Sequence, residues 1–338
     1  MADPQTVGQV GELGLLKRLF QYCADGMVGD DAAVLEVPPH QRLVVTTDVL
    51  VDGVHFSDRT TAAGDVGWRA VAANLSDLAA MGAIPLGITV GLSLPGTTAL
   101  AWVEQLYDGM AACLKIWGGA VIGGDLCRSE TISVAITALG SAAPDQLLYR
   151  HTAQPGQLIL ATGYHGLSRA GLELLLQPEQ GQALDPADRD RWIRAHCRPN
   201  PRLDAIALLR SLLRDINLDA VSIAAMDSSD GLANAVLHLC QASGCGARLW
   251  PSHLPLDPAL VAWVGPAQAL DWCLYGGEDF ELLLCLPAAI AQSLELQLGQ
   301  GSAIIGQVTQ ASSVILEPDP AWSTSGLELT FTGGFQHF

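Results

Sequence analysis

Aspartates standing where apolar runs give way to turns are the residues of this sequence best equipped for chemistry. They occur in five strings: GDDAAV (29–34), TTDVLVDGVHF (46–56), NLSDLAAMG (74–82), IGGDLCR (122–128) and MDSSDG (226–231). Taken singly, GDD, GGD and SDG have an ordinary structural reading, because a short carboxylate caps helices and closes turns by accepting from nearby backbone donors. Asp77 is harder to account for. It lies among Leu75, Leu78 and Ala79, where a carboxylate needs Arg69, backbone donors or an ion to satisfy it. Two carboxylates about 4 Å apart repel by about 4 kcal/mol at an effective dielectric of roughly 20, so acids that converge must take up protons or bind divalent cations.

The donor types select the ion. Asp31, Thr46, Thr47, Asp48, Asp77 and Asp125 offer carboxylate and hydroxyl oxygens, which are hard ligands suited to Mg²⁺, and no His or Cys has zinc spacing. Mg²⁺ keeps several waters and binds through one or two carboxylates together with substrate phosphates, which points to nucleotide chemistry. Lysine is nearly missing. Lys17 and Lys115 fit neither a GxxxxGK[ST] loop nor a kinase VAIK strand, so metal ions must do most of the neutralising of any anionic ligand. A net charge of −18 and a pI near 4.6 exclude a general nucleic-acid binder or a protein that sits on anionic membranes.

These residues need a scaffold of two domains, since 338 residues exceed the roughly 100 to 200 of a usual single core. A hydrophobic share of 49% against 15% charged residues rules out a disordered chain. The spacing predicts a short amphipathic helix in GELGLLKRLF with Leu13, Leu16, Leu19 and Phe20 inward. Strands follow at 32–37 and 42–50, a helix at 65–81, a strand at 88–94, a helix at 97–117, and strands at 120–124 and 131–140. Polar, Pro-containing sequence at 141–156 marks the boundary, giving domains 1–145 and 146–338. In the second, helices are predicted at 167–177, 186–196, 201–214 and 231–243 and after Pro287. Its strands are QLILATG, 220–226, 281–287, 302–308, 313–317 and 326–331. The class is α/β (α+β).

The charge-free stretch from Leu78 to Val103 carries Pro85, Pro95 and glycines at 82, 87 and 91, so it reads as helix end, strand and helix start rather than a membrane span. Eight cysteines without a CxxC pair read as reduced core thiols, and MADPQTVGQVGELG has no secretory pattern; the expected compartment is the cytoplasm. His151, His165, His196, His238 and His253 show no paired ligand spacing and read as surface or polar-core residues. Glu173 and Glu281 read as core-edge acids with partners.

Six strings in order, GDDAAV, TTDVLVDGVHF, NLSDLAAMGAIP, IGGD, SDG and YGGEDFELL, resemble the thiamine-monophosphate kinase family of the aminoimidazole ribonucleotide synthetase-like superfamily, from about Gly11 to the closing GGFQHF. The resemblance implies transfer of the γ-phosphoryl group of ATP to thiamine monophosphate with several Mg²⁺ ions. It also implies a homodimer whose N-terminal mixed sheets pair across the axis, and an active site in the cleft between the domains. Residue by residue, it implies metal ligation by Asp31, Thr46, Thr47, Asp48, Asp77, Asp125, Asp227 and Asp230, and nucleotide contacts from Gly124, Asp125, Arg150 and Ser229. Asp48, Asp125 and Asp230 carry catalysis on this reading, and His55, Glu278 and Phe331 hold the acceptor. The family pattern has an apolar residue where this chain has Ser228, and a C-terminal Trp where Phe331 is taken to stand.

Rival readings remain within the superfamily and outside it. A selenophosphate synthetase relative needs a reactive Cys and a Lys in a Gly-rich N-terminal loop, and a hydrogenase-maturation relative ends in Cys, whereas this chain ends in Phe338. A cyclo-ligase would have to hold a different acceptor. A Mg²⁺-dependent phosphatase or a metal-buffering module would release phosphate or turn nothing over.

Overall fold

Thr6 opens the first helix, α1 (Val7–Leu19), in a capping box with Gln9, and Gly11 kinks it at φ 68°. After the kink the helix buries Leu15 and Leu19, one turn apart, and leaves Leu13 and Phe20 exposed, so the inward face differs from the one expected. The structure is a computed structural model and describes residues 5–216, 221–322 and 324–331. Residues 32–37 form no strand. Val34 is 82% exposed, and β propensity without a face to bury against does not hold a strand.

The remaining elements of the first unit (Met1–Leu78 with Ala83–Pro144) are β1 (Arg42–Val51), α2 (Ala63–Ala80), β2 (Ile84–Leu94), α3 (Leu100–Trp117), β3 (Val121–Arg128) and β4 (Ser133–Ala142). The strands form a mixed sheet in the order β1-β4-β2-β3, antiparallel except for β2 with β3. Helix α2 lies on the sheet face that carries Thr46 and Gly140. Its Leu78 approaches Gly140, and a Cβ at 140 would meet that leucine at 3.1 Å. The crossing of α2 and α3 is close enough to demand glycine. A Cβ at Gly67 would stand 1.9 Å from the Leu106 carbonyl oxygen, and one at Gly109 would stand 1.8 Å from that of Gly64. On the other face of β1, Leu43, Val45 and Val49 are about half exposed.

The second unit (Ala79–Gly82 with Asp145–Phe338) contains β5 (Leu158–Ala161), α4 (Leu167–Leu176), α5 (Pro186–Cys197), α6 (Leu203–Ile216), β6 (Ala224–Asp227), α7 (Leu232–Ser243) and β7 (Gly246–Leu249). Then follow α8 (Pro258–Val264), α9 (Pro266–Tyr275), β8 (Leu282–Leu286), α10 (Ala288–Leu298), β9 (Ala303–Thr309), β10 (Val314–Leu316) and β11 (Leu327–Glu328). The sheet order is β11-β10-β7-β9-β5-β8-β6, antiparallel except for β10 with β7. Both faces are covered, which explains the unbroken apolar run LLLCL in β8. Leu283 and Cys285 pack with α7 and α9, while Leu282, Leu284 and Leu286 pack with α6 and α10.

A third cluster surrounds Trp192, fully buried, whose indole N–H donates to Asp257 Oδ2 at 3.1 Å. Helices α8 and α9 were not expected, although each opens with proline after Asp257 or Gly265, a start signal. The strand expected at 326–331 reduces to β11. Residue 220 and the closing 332–338 lie outside the described residues. Six cysteines are buried, but Cys23 is half-buried and Cys127 exposed, so the core-thiol reading does not extend to those two. Among the described residues no helix is long and apolar enough to cross a membrane.

Candidate functional site

Strand alternation sorts the TTD string. Thr46 and Asp48 point to the face covered by α2, and Thr47 points to the other. Thr46 Oγ1 donates to Asp77 Oδ2 at 2.5 Å, so the partner Asp77 required includes a threonine hydroxyl from β1. One turn earlier on α2, Asn74 is 1% exposed, donates Nδ2 to the Ala70 carbonyl at 2.9 Å, and has a buried Oδ1 without a partner. Thr47 lies 2.7 Å from Thr137 Oγ1 and 2.9 Å from the Ile136 carbonyl, on the sheet face away from Asp77.

The register of the sheet aligns Val49, Ala135, Gly91 and Asp125 in one row, putting Asp125 on the open face with Thr47. Asp31 and Asp125, both exposed, line the same cavity of about 880 Å³, along with Thr89 and Thr137. Gly124 is a steric necessity, since a Cβ there would stand 2.3 Å from the Val90 carbonyl oxygen. His55 sits in the turn after β1 and accepts the Val51 N–H at Nδ1, 3.1 Å, which leaves Nε2 to carry the ring proton. Within this unit the acids therefore divide between two faces instead of forming one cradle. Among the described residues no three His, Cys, Asp or Glu side chains gather as a ready cation site.

In the second unit β6 ends at Asp227, 3% exposed, and Ser229 Oγ donates to Asp227 Oδ1 at 3.2 Å. The Glu278 N–H donates to the Ser229 carbonyl at 2.7 Å, tying the GGED loop to the DSSDG turn. Glu278 and Phe280 hold left-handed φ values of 57° and 53°, strained for side chains of their size. Asp279 between them supplies the restraint. Its carboxylate accepts from Gly166 N at 2.7 Å and Ser168 N at 2.8 Å, capping α4, whose N-cap glycine has no side chain to do so. Burial pushes Asp279 up to about 7 against the pull of those two N–H groups, and the charges of Glu281 and Glu278 push the same way as burial.

Arg150 is exposed in a short 3-10 turn, its carbonyl accepting from Ser243 Oγ at 2.9 Å. Two turns along α7 from Asp230, the His238 ring stands against Phe331 with centroids 4.7 Å apart. Burial lowers the His238 pKa first, the charge of Arg150 adds to that, and Asp230 opposes it. Arg150, Asp230 and Phe331 thus gather around a histidine that the sequence reading gave no role. Its signal was the i, i+4, i+8 spacing of Asp230, Asn234 and His238.

His165 also went without a role. It is fully buried; Nδ1 donates to the Gly163 carbonyl at 3.0 Å and Nε2 accepts from Ser228 Oγ at 2.9 Å. Burial holds its pKa down at about 4, which keeps it neutral. Glu281 has the partners expected of it: Thr162 Oγ1 at 2.6 Å and the guanidinium of buried Arg202. Burial raises the Glu281 pKa and Arg202 opposes that rise. Glu173 likewise accepts from Arg169 at 2.7 Å and Gln177 at 2.6 Å.

Residues 29–142 match the family model described as AIR synthase related protein, N-terminal domain. The chain is 47% identical to a protein of Synechococcus elongatus named thiamine-monophosphate kinase, across 100% of this chain and 99% of that one. A crystal structure of thiamine-monophosphate kinase from Stenotrophomonas maltophilia superposes with a TM-score of 0.76 at 34% identity, covering 89% of this chain and 93% of the other. A structure of AaThiL complexed with AMPPCP and TMP superposes with a TM-score of 0.75 at 28% identity, covering 100% of both chains.

Proposed function

Because the chain belongs to the thiamine-monophosphate kinase family, we propose that it transfers the γ-phosphoryl group of ATP to thiamine monophosphate, giving thiamine diphosphate and ADP. The observation that carries this reading is the full-length match at 47% identity, and the 2.7 Å hydrogen bond from Glu278 N–H to the Ser229 carbonyl joins the residue assigned to the acceptor to the turn assigned to the nucleotide. The solved complex holding AMPPCP and TMP supports the same pair of substrates.

The donor chemistry fits Mg²⁺. Thr46 and Asp77 are a hydrogen-bonded pair of hard-oxygen side chains, Asp31 and Asp125 offer hard oxygens to one cavity, and the unpartnered Asn74 Oδ1 adds a buried acceptor suited to a metal-bound water. A cage of three acids is not required of an ion that also takes phosphate oxygens and water. Asp31, Thr46, Thr47, Asp48, Asp77, Asp125, Asp227 and Asp230 are the proposed ligands, Asp48, Asp125 and Asp230 being catalytic. When bound, Mg²⁺ neutralises the phosphates and the charge that develops in transfer. Gly124 lets the backbone approach the nucleotide, Ser229 contacts it, and the Arg150 guanidinium offers a planar fork to phosphate. His55, Glu278 and Phe331 orient the acceptor. The bond from γ-phosphorus to the ADP oxygen breaks as one forms to an acceptor phosphate oxygen, already ionised at neutral pH, so no side chain need remove a proton.

Residues 1–145 on this reading carry most metal and nucleotide ligands and the dimer contact, for which the exposed Leu43, Val45 and Val49 supply an apolar sheet face. Residues 146–338 add Arg150, the DSSDG turn and the acceptor loop. The proposed compartment is the cytoplasm, where six buried thiols stay reduced and ATP is at hand. ADP release measured against a panel of phosphorylated acceptors tests the reaction. Response to thiamine monophosphate supports it, and ADP release that ignores the acceptor, with inorganic phosphate as product, refutes it.

A further inference from the structure

Thr162 to Ser168 touches both halves of the chemistry assigned to the second unit. At one end of this segment, Thr162 Oγ1 donates to Glu281 Oε2 at 2.6 Å and accepts the Leu282 N–H at 2.8 Å. In its middle, His165 Nε2 lies 2.9 Å from the hydroxyl of Ser228, the second residue of the DSSDG turn. At its far end, Gly166 and Ser168 donate to Asp279, the last residue of the GGED string. The turn and the loop also meet directly: Ser228 N donates to the Glu281 carbonyl at 2.8 Å, and Glu278 N to the Ser229 carbonyl at 2.7 Å.

Ser228 is fully buried, as is His165. A buried hydroxyl facing a buried imidazole is a directional contact where an apolar pair would give only packing. On the other side, the left-handed Glu278 and Phe280 persist because Asp279 between them is held by two N–H groups of α4.

We propose that the segment 162–168 is a brace that couples the nucleotide-side turn 227–231 to the acceptor-side loop 276–281, with His165 and Asp279 as positioning residues. Loss of the His165 contact leaves the Ser228 hydroxyl only the Glu281 carbonyl, at 3.1 Å, which loosens the turn, and the shared hydrogen bonds pass that freedom to the loop carrying Glu278. The names of the two substrates rest on the functional reading above; the mechanical coupling does not.

Amide hydrogen exchange of the full-length protein tests the coupling without any ligand. In His165→Met, exchange is expected to quicken in both 228–231 and 276–281, while His165→Gln, which keeps an acceptor for Ser228, stays close to the parent. Leu294→Ala, which opens a cavity in α10, controls for general loosening. Calorimetry with the Mg²⁺ complex of a non-hydrolysable ATP analogue, and separately with thiamine monophosphate, is expected to find both affinities weakened roughly five- to thirtyfold in His165→Met and within about threefold in His165→Gln. Faster exchange confined to 228–231, equal effects in Leu294→Ala, or unchanged affinities in His165→Met overturn the brace. If the parent protein fails to bind thiamine monophosphate while the exchange coupling holds, the functional reading falls and the brace stands.

Discussion

Replacing Arg202 by methionine removes the cation from a buried acid and keeps most of the side-chain volume. Arg202 is 9% exposed, and its guanidinium donates to Glu281 Oε2 and the Thr162 carbonyl and reaches Asp204 at 3.1 and 3.2 Å. It holds a left-handed φ of 55°, and methionine inherits that strain unchanged, so the variant removes the charge and its hydrogen bonds without changing the backbone strain. Without it, Glu281 keeps the Thr162 hydroxyl as a side-chain donor but loses the charge that opposed its burial. Breaking a buried pair from one side costs about 3 to 5 kcal/mol. For a unit of this size each kcal/mol lowers Tm by about 2 to 4 °C, so the fall is roughly 6 to 20 °C. The pH dependence has a definite sign. With Arg202 gone, the folded-state pKa of Glu281 rises further above its unfolded value, so its contribution to stability is fully present in acid and is lost as pH rises. The gap to the parent protein therefore widens from pH 5 to pH 8. Arg202→Met with Glu281→Leu removes both charges and is expected to recover most of the loss. Thermal melts followed by tryptophan fluorescence read all three proteins. A single variant that melts within about 3 °C of the parent and shows no pH trend refutes the reasoning.

Asp125→Asn is expected to weaken binding of the Mg²⁺ complex of ATP tenfold or more, whereas His55→Ala keeps that affinity and raises KM for the acceptor or lowers kcat, each contact being worth roughly 1 to 3 kcal/mol; equal loss of nucleotide affinity in both is the result that removes His55 from the acceptor side. Chelation is expected to abolish turnover and the ATP-induced rise in Tm, and activity that survives it defeats the metal assignment. Asp279 has a folded pKa near 7, above its usual value, so its contribution is present in acid and lost as pH rises through 7. Asp279→Asn does not titrate, so the Tm of the parent relative to this variant should fall between pH 4.5 and pH 8, and a constant difference would show that the cap holds the carboxylate ionised throughout.

Local chemistry was legible in the sequence, and the partners of that chemistry were not. The 3.6-residue and two-residue periods marked α2, α3, α7 and β2 because burial imposes them on neighbouring positions, and β8 showed as an unbroken apolar run because both its faces are covered. The DSSDG turn, the glycine at 124 and the need of Asp77 for a partner could be read because each depends on its immediate neighbours. The strand expected at 32–37 failed because β propensity says nothing of whether a sheet edge is near, and α8 and α9 were missed although both carry proline starts. Tertiary structure alone decided that Thr46, 31 residues away, is the donor to Asp77, that Thr47 faces away from it, and that Asp31 shares a cavity wall with Asp125. It likewise decided that Ser228 meets His165 across 63 residues and that Asp279 caps a helix 113 residues earlier in the chain. A hydrogen bond between distant segments constrains each residue only to be polar and correctly placed, so its partner is fixed by how the sheets and helices pack and leaves no periodic trace in the sequence.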